Sequence, residues 1–362
     1  MFKSQETILD EYILMSEMDR EKRIRAVKAN LGSRLVILGH HYQSEDVIRF
    51  TDYRGDSLKL AQLAAQEKDA EYIVFCGVQF MAETADMLTS SKQKVILPNL
   101  GAGCPMADMA EISDVKECWN LLTAQYSQEI IPVTYINSSA EVKAFCGRNG
   151  GMTCTSSNAP KIFGKLLGEK KSILFLPDEH LGRNTGLELG LHNQDILLWT
   201  RENSKEVELP EKAPKLILWD GYCTVHQKFE TQHVDEVRKK YPGVTVIVHP
   251  ECNHAVVEKA NLSGSTDYII RQISAAPADS VWAVGTEINL VYRLAQQNPD
   301  KTVVSLNENV CLCIMMSRIS QPHLLSVLES LNQGKVVNQI CVDRKITADA
   351  ISALNRMLEL SR

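Results

Sequence analysis

The chain has 362 residues, of which 44% are hydrophobic and 23% charged, and its net charge is −6. This composition is that of an ordinary globular protein, and the length allows two or three small domains. The acidic balance argues against nucleic acid as the main partner, because phosphate binding needs a basic face. No apolar run reaches the length of a membrane span, and the charged N-terminus lacks the apolar core of a signal peptide. We therefore expect a cytoplasmic protein.

Apolar residues at helical spacing predict a helix over the first 30 residues, after which short β-rich runs alternate with helical segments. Continuous apolar runs separated by helices are typical of parallel strands that are covered on both faces, which indicates an α/β layered architecture. The amphipathic stretch from Pro322 onward is expected to pack on the first domain. The charged segment Arg201–Lys212 is the best candidate for a solvated loop. The predicted strands are Arg34–Leu38, Tyr72–Phe75, Val95–Leu97, Ile131–Ile136, Ile173–Leu176, Leu216–Trp219, Val244–Val248, Val281–Val284 and Thr302–Leu306.

A coarse internal repeat lies over this pattern. Three strands end in a polar cluster, and each series of elements closes on a cysteine: Cys104, Cys223 and Cys313. A unit of roughly 90–120 residues has the size of a domain. We expect three similar three-layer α/β/α domains with pseudo-threefold symmetry, their strand carboxyl ends facing one point, where ligands bind in such sheets. The expected boundaries are 1–103 plus 314–362, 104–223 and 224–313.

Ten cysteines are unusual for a reducing compartment, where they should not form structural disulfides. Most are expected to be small buried hydrophobic residues. We assign this passive role to four of them, which have no nearby signal of a metal site: Cys76, Cys118, Cys146 and Cys341.

The three cysteines at the ends of the repeat share one context, in which a strand end is followed by the cysteine and then by the start of a helix. Three thiolates suit either zinc or an iron–sulfur cluster. A structural zinc site needs a fourth ligand, which His226 could supply. A cluster with three cysteines leaves one iron open to substrate. The polar strand ends favour the cluster, because a structural zinc would not need them.

Two further groups of side chains are candidates for substrate binding. Six polar residues at the strand ends can move protons or orient a small polar substrate: His40, Tyr42, Tyr135, Asn137, His249 and Glu251. Ser57, Ser156 and Thr266 have hydroxyls at predicted helix N-termini, where carboxylate and phosphate groups bind. Plain N-capping is the alternative role for these three hydroxyls.

These segments closely resemble the signatures of the quinolinate synthase family. They occur in the order of that family and span about residues 35–320. The matching segments are Gly39–Gln43, Gly55–Ser57, Phe75–Thr84, Val133–Ser138, Cys154–Ala159, Cys223–His226, His249–Cys252 and Gly264–Thr266. The resemblance implies three similar α/β domains around a central [4Fe–4S] cluster that Cys104, Cys223 and Cys313 hold, with one open iron.

The resemblance also implies a transferase reaction, in which iminoaspartate and dihydroxyacetone phosphate condense to quinolinate in de novo NAD biosynthesis. Proton transfer is then assigned to Tyr42 and Glu251, with His226 near the cluster and able to assist. Transient contact with L-aspartate oxidase and a cysteine desulfurase is compatible with this role. The residues that the family pattern places on substrate are His40, Ser57, Tyr135, Asn137, Ser156, His249, Glu251 and Thr266.

One departure from the family pattern affects the third cysteine. The family often has Cys-Pro-x-Met there, whereas Cys313-Ile314-Met315-Met316 keeps the methionine and lacks the proline. Cys311 is therefore a rival ligand, although the spacing to the methionine favours Cys313. Two other kinds of protein remain as alternatives at this point, a cluster-based redox or iron sensor and a zinc-stabilised α/β scaffold.

Overall fold

The computed structural model describes residues 10–200, 209–309 and 311–361. The chain divides into two compact units, the first formed by Met1–Cys104 with Leu312–Val342, and the second by Pro105–Cys311 with Asp343–Arg362. The first contains one sheet and the second contains two. The sheets are mostly parallel and alternate with helices along the chain, so the α/β class predicted from the apolar runs is confirmed. Among the described residues, no helix combines the length and the apolar character that a membrane crossing requires.

The elements are numbered in chain order. The helices are α1 (Glu17–Leu31), α2 (Glu45–Ile48), α3 (Ser57–Gln66), α4 (Gln79–Leu88), α5 (Pro105–Asp108), α6 (Ile112–Gln125), α7 (Ala140–Arg148), α8 (Ala159–Gly168), α9 (Glu179–Glu188), α10 (Thr231–Lys240), α11 (His254–Lys259), α12 (Thr266–Ala275), α13 (Ile288–Gln297), α14 (Ile314–Ser317), α15 (Gln321–Asn332) and α16 (Arg344–Ser361). The strands are β1 (Leu35–His40), β2 (Tyr53–Gly55), β3 (Tyr72–Cys76), β4 (Lys94–Ile96), β5 (Ile130–Tyr135), β6 (Met152–Cys154), β7 (Ser172–Leu176), β8 (Ile196–Trp199), β9 (Leu216–Trp219), β10 (Thr245–Val248), β11 (Leu262–Ser263), β12 (Val281–Gly285), β13 (Thr302–Ser305) and β14 (Gln339–Ile340).

The sheet of the first unit has the strand order β14-β4-β3-β1-β2, in which only β14 runs antiparallel to its neighbour. The central strands β1 and β3 are buried at every residue, as expected for apolar runs covered on both faces. The register pairs His40 with Gly55, so the carboxyl end of β1 lies beside the turn that leads into α3.

The two sheets of the second unit are parallel throughout, with the orders β6-β5-β7-β9-β8 and β11-β10-β12-β13. In the first of these, Tyr135 pairs with Cys154 at the carboxyl end of β5. In the second, Val248 at the end of β10 pairs with Ser263 on one side and Gly285 on the other.

The N-terminal helix is shorter than predicted. The Oγ atom of Ser16 accepts a hydrogen bond from the backbone N–H of Asp19 at 3.1 Å, so a new helix starts at Glu17 and the predicted continuous helix is interrupted at residues 14–16. Residues 1–9 of that prediction lie outside the described residues. The same holds for 201–208 of the predicted loop, whereas 209–212 form neither helix nor strand.

The C-terminal stretch divides between the two units. Helix α15 packs on α1 as expected, and the guanidinium of Arg23 there donates two hydrogen bonds to Glu329, at 2.6 and 2.5 Å. Helix α16 instead packs on α7 of the second unit, which differs from the expectation that residues 314–362 complete the first domain. Gly147 permits this contact, since a Cβ atom there would lie 1.8 Å from the carbonyl oxygen of Asp349. The glycine therefore lets the two helix backbones approach each other directly. The other domain boundaries stay a prediction.

Candidate functional site

The ten cysteines differ in how far their side chains are exposed to solvent. All ten lie in the described residues, and none of them forms a disulfide. The three thiols assigned above to a metal site, Cys104, Cys223 and Cys313, are half-buried. Cys341 is exposed, so the expectation that it is a buried hydrophobic residue is wrong. It follows short strand β14 at the edge of its sheet, where nothing in the sequence pattern indicated exposure. The remaining cysteines are buried: Cys76, Cys118, Cys146, Cys154, Cys252 and Cys311.

Burial also separates the thiols by acidity. Desolvation raises the pKa of Cys76 to about 12, and it raises the pKa values of Cys118 and Cys146 as well. Metal ligation needs the thiolate form, so these three thiols are poor ligands. Their predicted passive role agrees with this environment.

Each half-buried cysteine lies at a strand-to-helix connection. Cys104 follows a glycine-rich turn after β4 and directly precedes the helix that starts with Pro105. Cys223 lies between the end of β9 and a short 3₁₀ helix at His226–Lys228. Cys313 is the N-cap residue of α14. The local contexts predicted from the sequence are therefore present.

Cys311 lies in the same connection as Cys313 but differs from it in burial. Its side chain is fully buried, its Sγ atom lies 3.6 Å from the carbonyl oxygen of Asn309, and burial raises the pKa of its thiol. Its carbonyl oxygen accepts a hydrogen bond from the backbone N–H of Ile288, the first residue of α13. The structure thus favours Cys313 as the more accessible thiol.

A buried histidine–glutamate pair lies next to Cys223. The Nδ1 atom of His226 is 2.7 Å from Oε2 of Glu251, and ligand atoms of Cys223, His226 and Glu251 all lie within 4.8 Å of one another. On the other side of the ring, Nε2 of His226 is 3.1 Å from Oγ1 of Thr286. Both ring nitrogens therefore have partners. These three side chains could hold a metal ion together, and zinc accepts such a set of sulfur, nitrogen and oxygen ligands.

His249 completes this cluster. Its ring stacks on that of His226 with centroids 4.6 Å apart, and its Nδ1 lies 3.3 Å from Oε2 of Glu251. Burial, aided by the neighbouring His226 and opposed by Glu251, lowers the pKa of His249 to about 3, so its ring is neutral.

Glu251 is ionised in this setting. Burial by itself would raise its pKa, but the adjacent His226 and hydrogen bonds from His226 and Tyr135 outweigh burial and lower the pKa. The second carboxylate oxygen, Oε1, is buried and has no hydrogen-bond partner among the residues that the structure describes. A buried acceptor of this kind is costly unless a ligand or a proton satisfies it.

Strand ends position all of these groups. Tyr135 ends β5, Cys223 and His226 follow β9, His249 and Glu251 follow β10, and Thr286 follows β12. The contacts therefore join the carboxyl ends of both sheets of the second unit, as the repeat predicted for its strand ends. Thr286 was missed by the sequence analysis, although it also follows an apolar strand.

Asp178 was missed as well. It follows β7 and is fully buried, and its Oδ1 atom accepts a hydrogen bond from the N–H of Leu181 at 2.6 Å. Its carboxylate also accepts a hydrogen bond from the backbone N–H of Cys223. Burial and the nearby charge of Glu251 raise its pKa. The signal that could have found it is an acidic residue directly after a buried strand.

The three helix-start hydroxyls are not the N-caps of their helices. Asp56 caps α3 by accepting from the N–H of Lys59 at 2.8 Å, and Ser265 caps α12 by accepting from the N–H of Tyr268 at 3.3 Å. Ser57 and Thr266 are the first residues of those helices and are buried. Capping therefore does not explain their hydroxyls.

Ser156 precedes the Asn158 cap of α8 and lines a cavity of about 420 Å³ in the second unit. Asn184, Ser265 and Arg271 also line that cavity. Asn137 is half-buried in the turn after β5.

The first unit contains the other candidates, His40, Tyr42, Ser57, Cys104 and Cys313. The rings of His40 and Tyr42 meet edge to face with centroids 4.8 Å apart, and the N–H of Tyr42 donates to Nδ1 of His40 at 3.1 Å.

The turn that carries these rings is hydrogen-bonded to the segment after Cys313. Buried Gln43 donates from Nε2 to the carbonyl oxygen of Met316 at 3.0 Å. Within the first unit, this bond links the Tyr42 turn to the helix that Cys313 caps.

Comparison with known proteins agrees with these features. The family model described as "Quinolinate synthetase A protein" matches residues 22–359. Proteins named quinolinate synthase from Bacillus cereus (strain B4264), Bacillus anthracis (strain CDC 684 / NRRL 3495) and Bacillus thuringiensis subsp. konkukian (strain 97-27) are each 51% identical to this chain over 356 residues. In each case the alignment covers 98% of this chain and 97% of the relative. The chain belongs to the quinolinate synthase family.

Proposed function

We propose that the chain catalyses the reaction for which its relatives are named, the formation of quinolinate. The substrates are iminoaspartate and dihydroxyacetone phosphate, the by-products are phosphate and water, and the pathway is de novo NAD biosynthesis. Two observations support this: the family relationship over 98% of the chain, and a buried Glu251 carboxylate with one unsatisfied oxygen among Tyr135, His226 and His249. The second is the observation on which the chemistry depends.

Neutral donors suit the two substrates, which together carry carboxylates and a phosphate. Helix N-termini and hydroxyls bind such anions without a basic surface, which is consistent with the net charge of −6. We assign Ser57, Thr266 and Ser156 to these anionic groups. Ser57 and Thr266 are the first residues of helices that other residues cap, so N-capping does not account for their hydroxyls.

Neutral hydrogen-bonding side chains complete the proposed substrate contacts. His249 has a neutral ring because its pKa is lowered to about 3, so it can orient a polar group without adding charge. We assign the same orienting role to His40, Tyr135 and Asn137.

The condensation needs proton transfer at several steps. When the nitrogen of iminoaspartate, as its enamine tautomer, attacks the carbonyl of the other substrate, the nitrogen loses two protons and the carbonyl oxygen gains two and leaves as water. An ionised carboxylate accepts such protons, and Oε1 of Glu251 is the buried acceptor for this role. His226, 2.7 Å from the other oxygen, can share a proton with Glu251. Tyr42 is the proposed proton-transfer group of the first unit.

Cys104, Cys223 and Cys313 are the residues that would hold a [4Fe–4S] cluster. The donor set fits, because these are the half-buried thiols, whereas the buried thiols with raised pKa values are poor thiolate donors. When bound, a cluster with three cysteine ligands supplies an open iron that acts as a Lewis acid toward hydroxyl or carboxylate groups. Ten cysteines outside disulfides suit a reducing compartment, so we place the reaction in the cytoplasm, where L-aspartate oxidase and a cysteine desulfurase would be transient partners.

Growth of a bacterial strain that requires quinolinate tests the proposed function. We expect the chain to support growth without added quinolinate, and Cys223→Ala to abolish that growth. Anaerobic purification tests the cofactor, since a brown protein with iron and sulfide supports the cluster. Colourless protein with one tightly bound zinc would contradict it, and a parent chain that never supports growth would contradict the proposed function.

A further inference from the structure

Thr286 has no role in the proposed chemistry so far, yet its hydroxyl meets the central histidine. Its Oγ1 atom lies 3.1 Å from Nε2 of His226, and both side chains are fully buried. A buried polar group without a hydrogen bond destabilises the folded chain, so a buried pair of this kind has a structural or a functional role.

The partners of His226 define how its ring is oriented. Nδ1 lies 2.7 Å from the ionised carboxylate of Glu251, and this contact favours the tautomer with its hydrogen on Nδ1. In the neutral ring Nε2 is then an acceptor, and the Thr286 hydroxyl donates to it. The hydroxyl of Thr286 and the carboxylate of Glu251 therefore contact opposite ring nitrogens of His226 and together fix the orientation of the ring.

Thr286 is also on a rigid frame with Glu251. The residue before it, Gly285, pairs with Val248, and its carbonyl oxygen accepts a hydrogen bond from the N–H of His249 at 3.0 Å. A Cβ atom at Gly285 would lie 2.7 Å from Cγ1 of Val248, so the glycine permits the close approach of β10 and β12. His226, in contrast, comes from the connection after β9. Thr286 and Glu251 follow the paired strands β12 and β10, and both contact His226, which lies in the connection after β9.

We infer that Thr286 is a positioning residue, which holds His226 with Nδ1 toward Glu251 while protons move along Tyr135, Glu251 and His226. This inference rests on the proposed function. Without the hydroxyl, the ring of His226 can rotate and present Nε2 to Glu251, which misaligns the proton path. Thr286 is not among the residues assigned to substrate contact, and its hydroxyl meets the site through His226. The predicted defect therefore lies in turnover and not in substrate binding.

The test compares Thr286→Val, which keeps the shape and removes the hydroxyl, with Thr286→Ser, which keeps the hydroxyl. Thr302→Val, at an exposed position on β13, is the matched control. Each protein is loaded with cluster anaerobically, and kcat and KM are measured at equal iron content. We expect Thr286→Val to lower kcat about tenfold, the scale of lost orienting hydrogen bonds, with KM within about twofold. Thr286→Ser and Thr302→Val should keep the parental kcat.

Three results would overturn the inference. The first is parental kcat in Thr286→Val, and the second is a Thr286→Ser defect as large as that of Thr286→Val. If Thr286→Val does not fold, Thr286→Ala replaces it, because Thr286→Ser and Thr286→Ala differ only in the hydroxyl. Equal kcat in Thr286→Ser and Thr286→Ala is the third contrary result. A parent chain that takes up the cluster and makes no quinolinate contradicts the proposed function, and with it this inference.

Discussion

Nδ1 of His226 lies 2.7 Å from Oε2 of Glu251, and both side chains are shielded from solvent. A carboxylate removed from water in this way stays ionised only through its partners, and here His226 and Tyr135 form hydrogen bonds with it. The pair links a loop after one sheet of the second unit to a strand end of the other. It is the part of the candidate site with the most completely described geometry.

Replacing Glu251 with glutamine keeps its shape and removes its charge and basicity. We expect Glu251→Gln to lower kcat by about 10²–10⁴-fold, the usual contribution of one general acid–base group. The measurement is quinolinate formation at matched iron content. Glu258→Gln is the control, since Glu258 is exposed on α11. Equal turnover in Glu251→Gln and Glu258→Gln would show that Glu251 takes no part in proton transfer.

The cysteine pair near residue 312 gives a second prediction. Cys313→Ala should lose bound iron, because the half-buried thiol at the start of α14 is the proposed ligand. Cys311→Ala should keep it, because the buried Cys311 thiol has a raised pKa and a carbonyl partner. Iron and sulfide are counted per chain after anaerobic reconstitution. The opposite pattern would assign the ligand to Cys311.

The contact between α7 and α16 gives a prediction on stability. A Cβ atom at Gly147 would lie 1.8 Å from the carbonyl oxygen of Asp349, so Gly147→Ala must push the last helix away. We expect a loss of about 1–3 kcal/mol in the free energy of unfolding, measured by urea denaturation. Gly168→Ala is the control, with no atom within 4 Å of its added Cβ, and it should gain about 0.4–1 kcal/mol. Equal stability of the two variants would contradict the described packing.

His249 gives a prediction on pH dependence. Its pKa is about 3 in the folded chain, against an ordinary value of 6.5, so between these values the unfolded chain binds one more proton. Stability must then fall as the pH falls from 6.5 toward 3. In cluster-free protein, His249→Asn should reduce the slope of unfolding free energy against pH by about one proton over this range. An unchanged slope would show that His249 titrates normally.

Much of the fold could be predicted from the sequence, because buried parallel strands are continuous apolar runs. Each predicted strand, from Arg34–Leu38 to Thr302–Leu306, is present within about two residues of its predicted ends. The strands that were missed are all edge strands of two to four residues: Tyr53–Gly55, Met152–Cys154, Ile196–Trp199, Leu262–Ser263 and Gln339–Ile340. Short edge strands form because a neighbour offers hydrogen-bonding partners, and a local pattern does not contain that neighbour. Ile196–Trp199 is the exception, since its apolar run was visible.

The candidate site was also predicted in part from the sequence and missed in part. His249 and Glu251 were found because they follow an apolar strand, and the half-buried state of Cys223 agrees with its predicted context. Thr286 and Asp178 were missed because a threonine or an aspartate at a strand end is common. Only the distance from Thr286 to His226, or the hydrogen bond that the N–H of Cys223 donates to Asp178, distinguishes them. Such pairings arise from the tertiary fold, in which residues 60 positions apart become neighbours.

The most direct test of the central claim is quinolinate formation by the cluster-loaded chain under anaerobic conditions. The substrates are dihydroxyacetone phosphate and iminoaspartate that is generated in the same vessel, and quinolinate is identified by its mass and retention time. The account predicts repeated turnover by the parent chain and none by Cys223→Ala. A parent chain with full iron and sulfide content that forms no quinolinate would contradict the account.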